Sequence, residues 1–223
     1  MKKDKGAVIE IPRMKRGSLD VGIKGTTPLI VHRFADKAKK QMLDKQKGKA
    51  NKGKEFKNPI ADFVDTLYIM QPIDRDELIG KMEDDGIEPG DDVTKYFKNI
   101  RLGFPAAGFK LAAVSACRNI DGIPMTLARG SFFVLEDTFG CVEIKYKKLY
   151  IREDMVRLNG KSADIRHRAC FEDWQVKLNV EFNPVSLSAE QICNLIDMGG
   201  FSVGIGDWRP ERNGSSGKFE LIH

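Results

Sequence analysis

The densest run of residues able to do chemistry lies near the C-terminus, in positions 197–219, DMGGFSVGIGDWRPERNGSSGKF. Six glycines fall between positions 199 and 217; Gly204 and Gly206 stand just ahead of Trp208, Arg209 and Arg212. Glycine tolerates positive φ and lets backbone approach closely, so the amides of such a loop can converge on one anion or one sugar-phosphate turn. The two arginines add charge, and the indole offers a flat face on which a base can stack. A glycine-rich turn array with Trp208 packed in the core is the alternative that the same text allows. There is no GxxxxGK[ST] signature, and the glycines follow a predicted helix rather than a first strand. That excludes a nucleotide-hydrolase phosphate loop and a dinucleotide fingerprint.

A second chemical feature is a concentration of charge. Residues 33–57 carry ten basic side chains (Arg33, Lys37, Lys39, Lys40, Lys45, Lys47, Lys49, Lys52, Lys54 and Lys57) against three acidic ones. Their net +7 exceeds the +5 of the whole chain, so the remainder is slightly acidic. Positions 45–58, KQKGKANKGKEFKN, have no apolar face to bury and predict a mobile loop that meets phosphates through counterion release, or one that merely solubilises. His32 and Asp36 stand at its edge. A histidine there can take a 2′-hydroxyl proton near neutral pH while Arg33 or Lys37 steadies the developing charge, although a lone histidine beside a basic segment is more often a contact or structural residue. Arg166, His167 and Arg168 form a second cluster, expected to bind rather than to catalyse.

No metal or cofactor is expected. None of the three histidines is near another, and the four cysteines are 24, 29 and 23 positions apart with no CxxC pair, which argues against zinc and against a disulfide scaffold. Asp84, Asp85, Asp91 and Asp92 fit no defined calcium loop and predict a solvated turn.

The elements that must position these residues can be traced by periodicity. With 223 residues, 41% of them apolar, the chain can build a packed core. No apolar run approaches the ~18 residues of a membrane span, and no secretory stretch follows the basic N-terminus, so a soluble protein of a bacterial or infected cell's cytoplasm is expected. Residues 18–25 alternate Leu19, Val21 and Ile23 with polar positions, a half-buried strand. Residues 34–46 permit a helix; 61–70 fit a strand or a short helix; 74–95 look like an acidic surface excursion. Pro105 opens a helix over 108–117 with Phe109, Ala112, Ala113 and Ala116 on one face. Stretches at 131–136, 141–146 and 149–151 are β-rich, and 174–182 alternates cleanly. Ser188 to Gln191 is a capping box opening a helix that Gly199 and Gly200 should end, and a short strand at 218–222 closes the run. That order fits an α+β chain with a ferredoxin-like, RRM-like βαββαβ core, an antiparallel sheet with extra strands, and residues 26–100 inserted between the first strand and first core helix. All 223 residues are expected in one domain.

Three blocks, in this order, resemble the RAMP superfamily, the repeat-associated proteins that form backbone and processing subunits of CRISPR effector complexes. A helix ending in Gly-Gly, an aromatic, then Gly204-x-Gly206-x-x-Arg209 resembles that family's glycine-rich loop. Residues 23–31, IKGTTPLIV, are similar to its first strand. Residues 104–118 are similar to its Pro-Gly-Ser-x-x-Lys-Gly-x-x-Arg helix, with Pro105, Gly108, Lys110 and Arg118 in matching roles. The match covers about a third of the chain. Asp207 and Trp208 after Gly206, and Ala106-Ala107 in place of Gly-Ser, depart from the pattern and suggest a divergent relative of phage or mobile-element origin. The resemblance implies a domain that grips single-stranded RNA or DNA by its backbone through a basic groove, non-enzymatically, with copies stacked along the strand and Lys110 and Arg118 lining it. It also implies two alternatives: a metal-independent endoribonuclease using His32 and Asp36, or an assembly or inhibitor protein that binds protein instead.

Overall fold

A computed structural model describes residues 13–34, 36–48, 57–158 and 162–222. In chain order the elements are β1 (Gly17–Gly25), β2 (Leu29–Val31), α1 (Asp36–Gln46), α2 (Pro59–Thr66), β3 (Tyr68–Ile69), α3 (Arg75–Asp84), β4 (Leu102–Pro105), α4 (Ala106–Ala116), α5 (Met125–Ser131), β5 (Phe132–Val134), β6 (Cys141–Lys145), β7 (Lys148–Leu158), β8 (Ser162–Glu172), β9 (Gln175–Phe182), α6 (Ala189–Ser202) and β10 (Phe219–Leu221).

The chain is α+β with antiparallel sheets, as expected. Its main sheet runs β10-β1-β9-β6-β4-β3, with β1 antiparallel to both β10 and β9 and β6 antiparallel to β9. Those first four strands, with α4 and α6 packed together, reproduce the βαββαβ arrangement. The second core strand is broken in two. β5 pairs with the far half of β9 (Phe132 opposite Phe182), and β6 with the near half (Ile144 opposite Val176). Residues 136–140 loop out between them, and the first part of β6 turns to pair with β4 (Pro105 opposite Cys141).

Period-two burial is as the alternation predicts: Val21 and Ile23 of β1 and Val176, Leu178 and Val180 of β9 are buried beneath the helices. The opposite face carries Asp20, Lys24, Gln175, Lys177 and Asn179, all exposed, and the half-buried Glu181. Its cations are matched by carboxylates: Lys177 to Asp20 at 2.8 Å, Lys24 to Glu220 at 3.0 Å and Arg16 to Glu181 at 3.4 Å. On β1 and β9 those positions hold no aromatic ring of the kind that an RRM-like sheet offers to bases; the exposed ring on this face is Phe133 of β5, opposite Glu181, with Lys110 over it.

The capping box forms, with Ser188 Oγ accepting from Gln191 N–H at 3.1 Å. Gly199 and Gly200, expected to stop α6, instead lie within it, and the helix continues to Ser202. They are there for contact. A Cβ on Gly199 would lie 2.8 Å from the backbone of Ala112, and one on Gly200 only 2.1 Å from the carbonyl oxygen of Phe219. The cap is Gly204, whose N–H donates to the Gly199 carbonyl at 2.8 Å.

Between β1 and α4 the chain is more regular than its composition suggests. Asn58 caps α2 by accepting from the N–H groups of Ile60 and Ala61, both at 3.0 Å, which settles residues 61–70 as a helix followed by the short β3. The acidic stretch forms α3, capped by Asp74, with Leu78 and Met82 turned into the core. A second sheet, β2-β8-β7, is dominated by a hairpin of two eleven-residue strands running from Lys148 opposite Glu172 to Leu158 opposite Ser162. Apolar patterning is strongest at its base; in the middle, charged pairs form with Glu153 opposite His167 and Asp154 opposite Arg166, and Met155 then faces Ile165.

Replacing glycine by alanine inside a helix ordinarily stabilises by about 1 kcal/mol. At Gly200 the opposite is expected: the added methyl meets a carbonyl oxygen that cannot move without disturbing β10, so Gly200→Ala should cost about 1–3 kcal/mol in urea unfolding. Gly80→Ala, in open space on α3, should gain about 0.5–1 kcal/mol and serves as the control.

Candidate functional site

The glycine-rich loop is stitched along β2. The Asp207 N–H donates to the Ile30 carbonyl at 2.9 Å, and the Gly217 N–H to the Pro28 carbonyl at 2.8 Å. Gly206 permits this: its φ is +76°, and a Cβ there would lie 2.3 Å from the Ile30 carbonyl oxygen. The amides of Val203 and Gly204 both donate to the Gly199 carbonyl, and that of Ile205 to Gly217. The backbone donors that the sequence offered to an anion are therefore largely engaged within the fold, and Gly204 and Gly206 position the loop.

What the stitching achieves is a line of alternating charge across three chain segments. Asp207 Oδ2 lies 3.3 Å from His32 Nδ1, at the end of β2, and 3.5 Å from Arg168 Nη1. Arg168, only 3% exposed, has the same nitrogen 3.6 Å from Asp154 Oδ2. Asp154 in turn accepts from Arg152 Nε with both oxygens, at 3.0 and 2.9 Å. Burial alone would raise the Asp207 carboxyl, but the His32 hydrogen bond and the Arg168 charge hold it below the usual carboxylate range. Burial pulls the Arg168 guanidinium below its ordinary value against the pull of the two carboxylates. Beside it, His167 is buried too, its Nε2 2.9 Å from Glu153 Oε2 and its Nδ1 4.0 Å from Asp62 Oδ2. His167 and Arg168 thus face inward and hold the hairpin to the loop and to α2.

On the outside of this line stands Trp208. It is 49% exposed rather than in the core, and its φ of +56° is one that an aromatic residue rarely adopts. Ser216 N–H holds its carbonyl at 3.0 Å. Next to it, Arg209 donates to the Gly206 carbonyl at 3.1 Å and to Glu211 Oε2 at 2.9 Å. Glu211 Oε1 accepts from Arg118 at 3.3 Å, and the Arg209 bond, then Arg118, keeps this carboxyl below its usual range. Arg118 and Arg209, distant in sequence, are brought together, with Arg118 and Arg212 exposed.

The remaining candidates are more dispersed. Arg33 donates its backbone N–H to Thr66 and its Nε to the Asp65 carbonyl, at 2.9 and 3.3 Å. Asp36, Lys37, Lys40 and Lys45 fall on α1, which starts three residues after Arg33; Lys40 and the following Lys47 are exposed. Lys49, Lys52 and Lys54 lie outside the described residues. Arg166 and Lys57 meet at Asp164 on the hairpin, the former at 3.7 Å. Lys110 is apart from the arginine cluster: its Nζ lies 3.6 Å above the Phe133 ring, where burial lowers its pKa. Asp85 is engaged by Lys95 at 2.9 Å and Asp92 by the Thr94 N–H at 2.9 Å; no group of three or more metal-ligating side chains occurs among the described residues.

Sequence reasoning missed a cavity of about 590 Å³ near this line, lined in part by Arg33, Tyr68, Ile69, Arg75 and Phe139. The Phe139-Gly140 pair, both at positive φ, marks a tight turn, but nothing in its text says that the ring stays outside.

Removing a carboxylate that faces buried Arg168 leaves a charge uncompensated. Asp154→Asn should lower stability by about 3 kcal/mol, and Asp207→Asn by less because its side chain is more exposed and Asp154 remains. The folded pKa of Asp207 is depressed, so its contribution is complete above the ordinary carboxylate pKa of ~3.9 and is lost as pH falls through the lower folded value. Urea midpoints of the wild type and Asp207→Asn should differ at pH 6 and converge on acidification.

No family model matches this chain, and no curated protein does. Among solved structures, the crystal structure of Cmr6 from Pyrococcus furiosus is similar over 94% of this chain and 100% of its own, at 12% identity and a TM-score of 0.33. A score that low leaves the function to be argued from the site itself.

Proposed function

We propose that this chain binds single-stranded nucleic acid, largely without regard to sequence and without cleaving it. Arg118, Arg209, Arg212, Arg33 and the lysines of 37–54 meet the phosphates, and Trp208 stacks on a base. Trp208 is the observation that carries this reading. A large ring held outward on a left-handed backbone is a strained arrangement, of the kind kept at binding sites. Arginine neighbours on a loop tied down at both ends make it a preorganised platform. His167 and Arg168 support that platform from beneath. Copies of the chain lie side by side along a longer strand.

A second reading has one observation in its favour. The His32 ring is oriented by Asp207, itself neutralised by Arg168, and its Nε2 has no partner among the described residues. That is an arrangement in which a histidine acts as a base on a 2′-hydroxyl.

Labelled single-stranded RNA and DNA incubated with the protein in EDTA separate the possibilities. Binding without cleavage is expected, weakening steeply with salt. Trp208→Ala should weaken it about five-fold or more, and neutralising Lys40 and Lys47 with Arg118 should flatten the salt dependence. Cleavage that disappears in His32→Ala would establish the second reading instead. Absence of any shift at low salt would leave the exposed Trp208 and its arginines to a protein partner. Light scattering along an oligonucleotide length series should show protein copies increasing with strand length.

A further inference from the structure

The cavity beside the charged line has an organisation of its own. One wall is Phe139, 74% exposed at the tip of the turn that interrupts the second core strand. Four non-glycine residues among those described have positive φ, and two of them, Asp173 and Asn213, are types that tolerate it. The other two are the outward-facing aromatics Trp208 and Phe139. The Phe139 turn is rigid, for Asp137 N–H donates to the Cys141 carbonyl at 2.8 Å and Ala106 N–H to the Gly140 carbonyl at 3.0 Å.

A second wall is the outer edge of β3. Tyr68 faces Gly103 of β4, and Met70 N–H donates to the Arg101 carbonyl at 2.9 Å. Antiparallel pairing alternates, so the N–H and carbonyl of Ile69, between them, point away from β4 at the sheet's edge. Ile69 lines the cavity and offers one donor and one acceptor side by side.

The third component is charge. Arg75 gives Nη1 to Asp65 Oδ1 at 2.7 Å, and a guanidinium has five donors, so most of its capacity remains. Arg33 lines the same cavity, its Nε donating to the Asp65 backbone carbonyl at 3.3 Å. Burial raises the Tyr68 hydroxyl, which also responds to Cys141, Arg33 and Asp207 and so lies within electrostatic reach of the loop. Cys141, with its thiol pushed up to about 11, contributes no negative charge.

An aromatic face, a paired backbone donor and acceptor, and a guanidinium match the face, edge and phosphate of one nucleotide. We propose that this cavity is a single-nucleotide pocket: a base lies against Phe139, its edge meets the Ile69 backbone, and its 5′-phosphate is held by Arg75 with Arg33 beside it. The pocket's place on a longer strand rests on the function proposed above; its affinity for a lone nucleotide does not.

The test is a fluorescence titration of the full chain with 2-aminopurine riboside 5′-monophosphate, whose emission falls on stacking. Saturable quenching is expected, weakened about five-fold or more in Phe139→Ala, a substitution at an exposed tip that leaves the core untouched. Arg75→Gln should weaken the monophosphate but leave the unphosphorylated riboside unchanged. Absence of saturable quenching would overturn the pocket. So would inorganic phosphate competing as well as the nucleotide with Phe139→Ala silent, which would mean an anion site only. Trp208→Ala should leave mononucleotide binding intact. If the mononucleotide binds while long strands do not, the pocket stands and the strand-binding reading falls.

Discussion

The architecture around the candidate site depends on one buried cation. Arg168 is almost wholly removed from water, between Asp154 of the hairpin and Asp207 of the glycine-rich loop. A guanidinium in that position is stabilised by the ionised carboxylates near it, and losing either leaves its charge less compensated. That pairing fixes where the loop can lie, and through Asp207 it fixes the His32 ring at the end of β2. The surface that follows, Trp208 and the arginines around Glu211, inherits its geometry from an interaction that solvent hardly reaches.

This arrangement moves the candidate interface away from the place where the fold class alone would put it. The open face of the main sheet is charge-balanced through Lys177 with Asp20 and Lys24 with Glu220, and its exposed ring, Phe133 on the edge strand β5, is covered by Lys110. Two exposed rings stand on turns at positive φ: Trp208 on the loop that follows α6, and Phe139 on the excursion that splits the second core strand. Backbone hydrogen bonds fasten both turns, to Ile30 of β2 beside Trp208 and to Ala106 of α4 beside Phe139.

Much of the scaffold was legible in the sequence, because burial imposes a period that can be counted. β1 and β9 follow strict alternation, α4 buries the small-residue face that its spacing marks, and the Ser188 capping box forms with both of its hydrogen bonds. Legibility failed where pairing is by charge or close contact. The long hairpin carries little apolar pattern beyond its base, so most of it escaped notice. Gly199 and Gly200 looked like a stop signal, since a sequence does not say that a helix and a strand will press against them from outside. At the site, the exposure of Trp208 could not be told from burial in one dimension. Nor could the inward turn of His167 and Arg168, two residues that one strand places on opposite sides, each covered by a different neighbour.

The stitching of the glycine-rich loop to residues 26–30 has a consequence for how the molecule is made. Thr26, Pro28 and Ile30 leave the ribosome well before their partners Lys218, Gly217 and Asp207. His32 must wait for the carboxylate that orients it, 175 positions further along the chain. A nascent chain can assemble the helices and the hairpin first, but it presents no finished surface to a ligand until translation has passed residue 217.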